Sequence, residues 1–80
     1  MSASAIERAR LLLATVLGLA VEAIGDDAGV TTVPAWDSLA HVRIVLRLEE
    51  DLGRALAPDE VLAMRDLNGI ASILQTDAEA

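Results

Sequence analysis

Asp37 and Ser38 stand side by side where a long apolar pattern begins, with Trp36 just before them and His41 three residues after the serine. The only tryptophan and the only histidine of the chain thus flank a carboxylate and a hydroxyl. Three chemistries suit that spacing. The first is a helix cap, because short oxygen-bearing side chains accept hydrogen bonds from the unpaired N–H groups of a first helical turn. The second is an anion site: a helix start offers free N–H donors and the positive end of its dipole. A phosphodiester attached to Ser38 suits that field, with Asp37 helping to hold a metal ion during attachment, and with Leu39 and Leu46 flanking an apolar chain. The third is nucleophilic catalysis, since Ser38 and His41 share a helix face. The requirements of a triad argue against it: no oxyanion hole is evident, so small a chain offers no deep pocket, and Asp37 serves the cap. No residue is assigned as catalytic, and the chain does not read as an enzyme.

These residues need helices to position them. Ile6, Ala9, Leu13, Val16, Leu17 and Ala20 recur at helical spacing, which predicts a first helix from Ala3 to about Ala20 with Ser4 as its cap. Val21 to Trp36 has no sustained period and carries Gly25, Gly29 and Pro34, which predicts a long ordered loop. A second helix follows from about Asp37 to Leu52. Leu39, Val42, Val45, Leu46 and Leu52 form its expected inward seam, with Ile44 and Leu48 on one flank. Arg43, Arg47, Glu50 and Asp51 fall opposite, where Arg47 can meet both acids. Glu49 lies in the apolar arc with no reason visible in the sequence. Gly53 ends the helix. Pro58, Asp59 and Glu60 open a short third helix reaching about Met64, a core filler. Asp66 then caps a last helix with Leu67, Ile70, Ile73 and Leu74 inward, weakened at Gly69 by about 1 kcal/mol relative to alanine. The fold class is all-α: a small four-helix bundle of three longer helices and one short third helix, with a long loop between helices 1 and 2.

Composition agrees. Eighty residues make a single domain, 1–80, with frayed ends expected at about 1–3 and 76–80. At 54% hydrophobic and 1% aromatic, its core is aliphatic. The absence of cysteine excludes a disulfide framework, a thiolate nucleophile and a zinc cluster. Thirteen acidic residues against six arginines and no lysine argue against nucleic acid, whose phosphates need a basic face. Asp26-Asp27 lacks the ligand spacing of a calcium loop, so no metal site is assigned. The longest uncharged run, Leu11 to Val21, is too short to span a bilayer. A cytoplasmic monomer without membrane association is expected.

Beyond these patterns, the chain resembles the acyl carrier protein family of phosphopantetheine-binding carrier or thiolation domains. The likeness covers most of the chain: a first helix ending in Leu17-Gly18, a long loop, Asp37-Ser38-Leu39, then VRIVLRLEEDLG from Val42 to Gly53 and the Pro58-Asp59-Glu60 turn. It implies that Ser38 accepts 4′-phosphopantetheine from coenzyme A through a separate phosphopantetheinyl transferase, making the chain a phosphoprotein, with Asp37 and Leu39 beside the attachment. It implies as well that the arm's thiol carries acyl or aminoacyl groups as thioesters, a sulfur that a chain without cysteine cannot supply. Tethering raises the effective concentration of an intermediate at each partner.

The sequence departs from the family's fatty-acid members by approaching the serine through Pro34-Ala35-Trp36. The exposed side of its second helix is also arginine-bearing, which disfavours generic partners. A dedicated acyl- or aminoacyl-activating ligase and a downstream synthase or transferase are expected, in a specialised biosynthetic pathway. Trp36, His41, Arg43, Leu46, Arg47, Glu49 and Glu50 are the candidate docking residues. Trp36 reads either as a buried anchor at the loop–helix junction or as a contact for the arm or a partner. The alternative function is an unmodified helical adaptor with the same core and cap.

Overall fold

A computed structural model describes residues 4–79 of the chain. Ser4 caps the first helix, its hydroxyl oxygen accepting the Glu7 N–H at 3.2 Å, and α1 runs Ala5–Leu17. Gly18 ends it at φ 69°, a left-handed conformation that costs glycine no Cβ clash. Ala20, expected inside the helix, therefore lies beyond it and is exposed. A 3₁₀ turn at Val21–Ala23 follows, then α2 at Ser38–Leu52, α3 at Pro58–Ala63 and α4 at Leu67–Glu79. The result is the expected all-α bundle of three longer helices and one short third helix. Among the described residues the only extended pairing is an isolated antiparallel bridge between Gly29 and Asp66.

α1 packs against α4 and α2. Leu13, Ile24, Met64, Leu67, Ile70 and Leu74 fill the space between the elements, each fully buried. An aliphatic core of this kind gains stability by area removed from water, roughly 25 cal/mol per Å².

α2 is rotated relative to expectation. Ile44 and Leu48 are 0% exposed and face the core, with Val45 and Leu52 half-buried beside them. Leu39, Val42 and Leu46, expected inside, are 61%, 53% and 58% exposed. The cause is a helix apolar around much of its circumference, so that no unique inward direction can be read from spacing alone. The same rotation explains Glu49. Its Oε2 accepts the Leu56 N–H at 2.8 Å, so the carboxylate ties the α2–α3 connection.

Arg54, just past α2, fastens the far end of the bundle. It donates to both carboxylate oxygens of Glu60 at 3.0 Å and to Asp77 Oδ1 at 2.9 Å, joining α3 to α4. The end expected to fray at 76–80 continues as helix through Glu79, anchored by this pair. The other expected frayed end, 1–3, and Ala80 lie outside the described residues. Glu60 also accepts the Ala57 N–H at 2.9 Å. The Arg54 guanidinium first, and that N–H second, hold the Glu60 carboxyl at about 2, below its usual 4.5.

Asp66 caps α4 by accepting the Gly69 N–H at 2.7 Å. Gly69 has a positive reason that helix propensity hides. A Cβ there would sit 2.4 Å from the Ala63 carbonyl oxygen and 3.1 Å from Met64 Cα, so only glycine lets the end of α3 cross the first turn of α4.

The long loop is tied down at both ends. Arg10 donates to the Ile24 carbonyl and pairs with Asp26 at 2.6 Å. Further on, the Val30 N–H donates to the Arg65 carbonyl at 3.0 Å and the Leu67 N–H to the Ala28 carbonyl at 2.9 Å. Among the described residues no helix is long and apolar enough to cross a membrane.

Candidate functional site

Asp37 is the N-cap of α2, its Oδ1 accepting the Ala40 N–H at 2.8 Å, and Ser38 is the first helical residue, exposed to solvent. Beside Ser38 opens a groove of about 460 Å³. Trp36, Asp37, Ser38 and His41 form one wall, Val61 and Leu62 of α3 another, and Val30 and Arg65 close the end. The bridge between the loop and the α3–α4 turn fixes the last two, since Val30 is bonded to the Arg65 backbone.

Trp36 and His41 hold these walls together. Trp36 is 3% exposed, and its Nε1–H donates to His41 Nδ1 at 3.1 Å. An indole N–H only donates, so Nδ1 is the accepting ring nitrogen and the proton resides on Nε2. Nε2 then donates to the Val61 carbonyl at 3.3 Å, which clamps α3 to the start of α2. The two rings stack with centroids 6.2 Å apart. Trp36 is therefore a buried anchor at the loop–helix junction that also lines the groove. His41 is a half-buried latch with both ring nitrogens engaged, in place of the freely solvated side chain expected. The same engagement leaves it no nitrogen to act as a base for Ser38.

The remaining sequence-derived residues fall on the other side of α2. Leu39 and Leu46 line no part of the groove; they form an outer face with Val42, among the exposed Arg43, Arg47 and Glu50. Arg47 pairs with Asp51 at 3.3 Å and not with both acids, while Arg43 has no partner among the described residues. Glu49 belongs to the α2–α3 connection. Sequence reasoning missed Val30, Val61, Leu62 and Arg65. No sequence signal pointed to them: Val61 and Leu62 sit late in a six-residue helix too short to show a period, and Val30 and Arg65 meet only through the loop bridge.

The site combines an exposed hydroxyl on a capped helix start, an apolar-walled groove beside it, and one cation at the groove's edge. Residues 7–74, from α1 to near the end of α4, match the family model described as the phosphopantetheine attachment site, and the chain belongs to that family. It is a carrier-type protein that binds phosphopantetheine, the prosthetic group of the class. No curated protein matches the chain. The residues at the start of α2 fit such a group. Ser38 is exposed, and beside it lies a groove with apolar walls and an arginine.

Proposed function

We propose that the chain takes 4′-phosphopantetheine on Ser38 and presents acyl or aminoacyl groups to the enzymes of a specialised biosynthetic pathway in the cytoplasm. The observation that carries this reading is the exposed Ser38 hydroxyl at the first position of α2, with Asp37 holding the cap beside it. Attachment forms a bond from Ser38 Oγ to the β-phosphorus of coenzyme A and breaks the pyrophosphate bridge. The hydroxyl proton passes to a base of the transferase, and adenosine 3′,5′-bisphosphate leaves. Asp37 spends Oδ1 on the cap, while Oδ2 has no bond among the described residues and is free to meet a metal ion that the transferase brings. Once attached, the arm supplies the thiol that a chain without cysteine lacks.

The outer face of α2 supports a dedicated partner. Leu39, Val42 and Leu46 offer apolar contact beside the unpaired Arg43, so the favoured ligase or synthase presents an apolar recess with an acidic rim. A contiguous exposed apolar patch of this kind favours an interaction surface.

The test is intact mass after incubation with coenzyme A and a broad-specificity phosphopantetheinyl transferase. One phosphopantetheine on the wild type and none on Ser38→Ala is the expected result. No gain under conditions that modify a control carrier refutes the proposal and leaves an unmodified helical adaptor.

A further inference from the structure

The arginines of this chain are not used alike. Arg10, Arg47 and Arg54 each hold a carboxylate. Arg8, Arg43 and Arg65 have no side-chain partner among the described residues. Of these three only Arg65 lines the groove beside Ser38. Its backbone is fixed from several sides: its carbonyl accepts the Val30 N–H at 3.0 Å, Met64 before it is fully buried, and Asp66 after it caps α4. The backbone that carries this arginine is thus fixed, and its guanidinium has no carboxylate partner among the described residues. The other ionisable groups on the groove do not serve. The Asp37 carboxylate offers a phosphodiester no donor, and His41 has both nitrogens engaged. The facing surfaces of Val30, Val61 and Leu62 are apolar and screen an ion pair less than open water does.

We infer that Arg65 binds the phosphodiester of the arm carried on Ser38 and turns the first segment of that arm along Val61 and Leu62 toward α3. The inference rests on attachment at Ser38 and adds the residue that sets the arm's direction. Guanidinium suits the task because its planar fork donates two parallel hydrogen bonds to phosphate oxygens, which the point charge of lysine does not. Arg65 is a positioning residue: it touches the prosthetic group and takes no part in forming or breaking a bond.

The experiment compares the apo protein with the holo protein made from it, after intact mass has established the modification. Two signals are read: the Arg65 side-chain Nε–H resonance and the ³¹P resonance of the phosphodiester. On conversion to holo protein the Arg65 Nε–H resonance shifts and its exchange with water slows, while that of the equally unpaired Arg43 stays where it was. In holo Arg65→Gln the ³¹P resonance moves to the value of a freely solvated arm, and in holo Arg65→Lys it lies between the two. A fully modified protein whose Arg65 resonance matches the apo protein overturns this inference alone. Absence of any mass gain overturns attachment at Ser38 and this inference with it. If Arg65→Gln resists modification, the wild-type comparison decides by itself.

Discussion

Replacing Gly69 with alanine sets two physical rules against each other at one atom. Helix propensity predicts a gain, because alanine inside a helix is favoured over glycine by about 1 kcal/mol. Packing predicts a loss. The added Cβ would lie 2.4 Å from the Ala63 carbonyl oxygen, and that obstacle is backbone that cannot swing aside. Relief requires the end of α3 to move off α4 by most of an ångström, and overpacking of that kind costs about 1–3 kcal/mol. With contact this close the upper part of that range applies, so the net effect is a destabilisation of about 1–2 kcal/mol after the propensity gain is subtracted. In a domain this small that lowers Tm by roughly 4–16 °C. The displacement also reaches the groove, since Val61 and Leu62 ride on α3 and Val61 accepts the His41 bond. Urea unfolding followed by helical circular dichroism measures the first effect. Trp36 fluorescence, with no tyrosine to confuse it, measures the second. A Gly69→Ala protein as stable as the wild type or more so, with unchanged emission, refutes the crossing of α3 over α4 described above.

Other substitutions test the remaining contacts. His41→Ala leaves the buried Trp36 N–H without its acceptor, an expected loss of about 1–3 kcal/mol in urea unfolding together with altered Trp36 emission. Leu48→Ala, at a fully buried position, should cost about 2–5 kcal/mol, whereas Leu46→Ala on the outer face should stay within about 0.5 kcal/mol; the pair checks the rotation of α2 by denaturation alone. Glu60, held at about 2 when folded against its usual 4.5, contributes stability in full above 4.5 and loses it as pH falls from there toward 2. Denaturation midpoints across that acid range should therefore fall less steeply for Glu60→Gln than for the wild type.

What the sequence disclosed and what it withheld divide along physical lines. Asp37, Ser38, Gly53 and Asp66 were legible because caps and stops act within one helical turn, and the structure has each cap and stop where local chemistry puts it. The four buried positions of α4 were legible because its apolar stripe is narrow. α2 was not, because residues such as Leu39 and Leu46 carry the same apolar character as Ile44 and Leu48, and only the neighbouring helices decide between them. Glu49 looked misplaced until its partner, the Leu56 N–H, appeared on the next connection. The groove was hidden for the same reason. Val30 and Arg65 are joined by a backbone bridge that leaves no pattern in side-chain types, and Gly69 records a close approach that propensity scores as a defect.

Fragmentation of the protein after treatment with coenzyme A and transferase locates any added group on the chain, and so bears on the account at its centre. A phosphopantetheine mass carried by the fragment containing Ser38, and by no other, is the predicted result. A group found on Ser4 or Ser72 in place of Ser38, or an Asp37-Ser38 fragment of unaltered mass in a protein that has otherwise been modified, would contradict it.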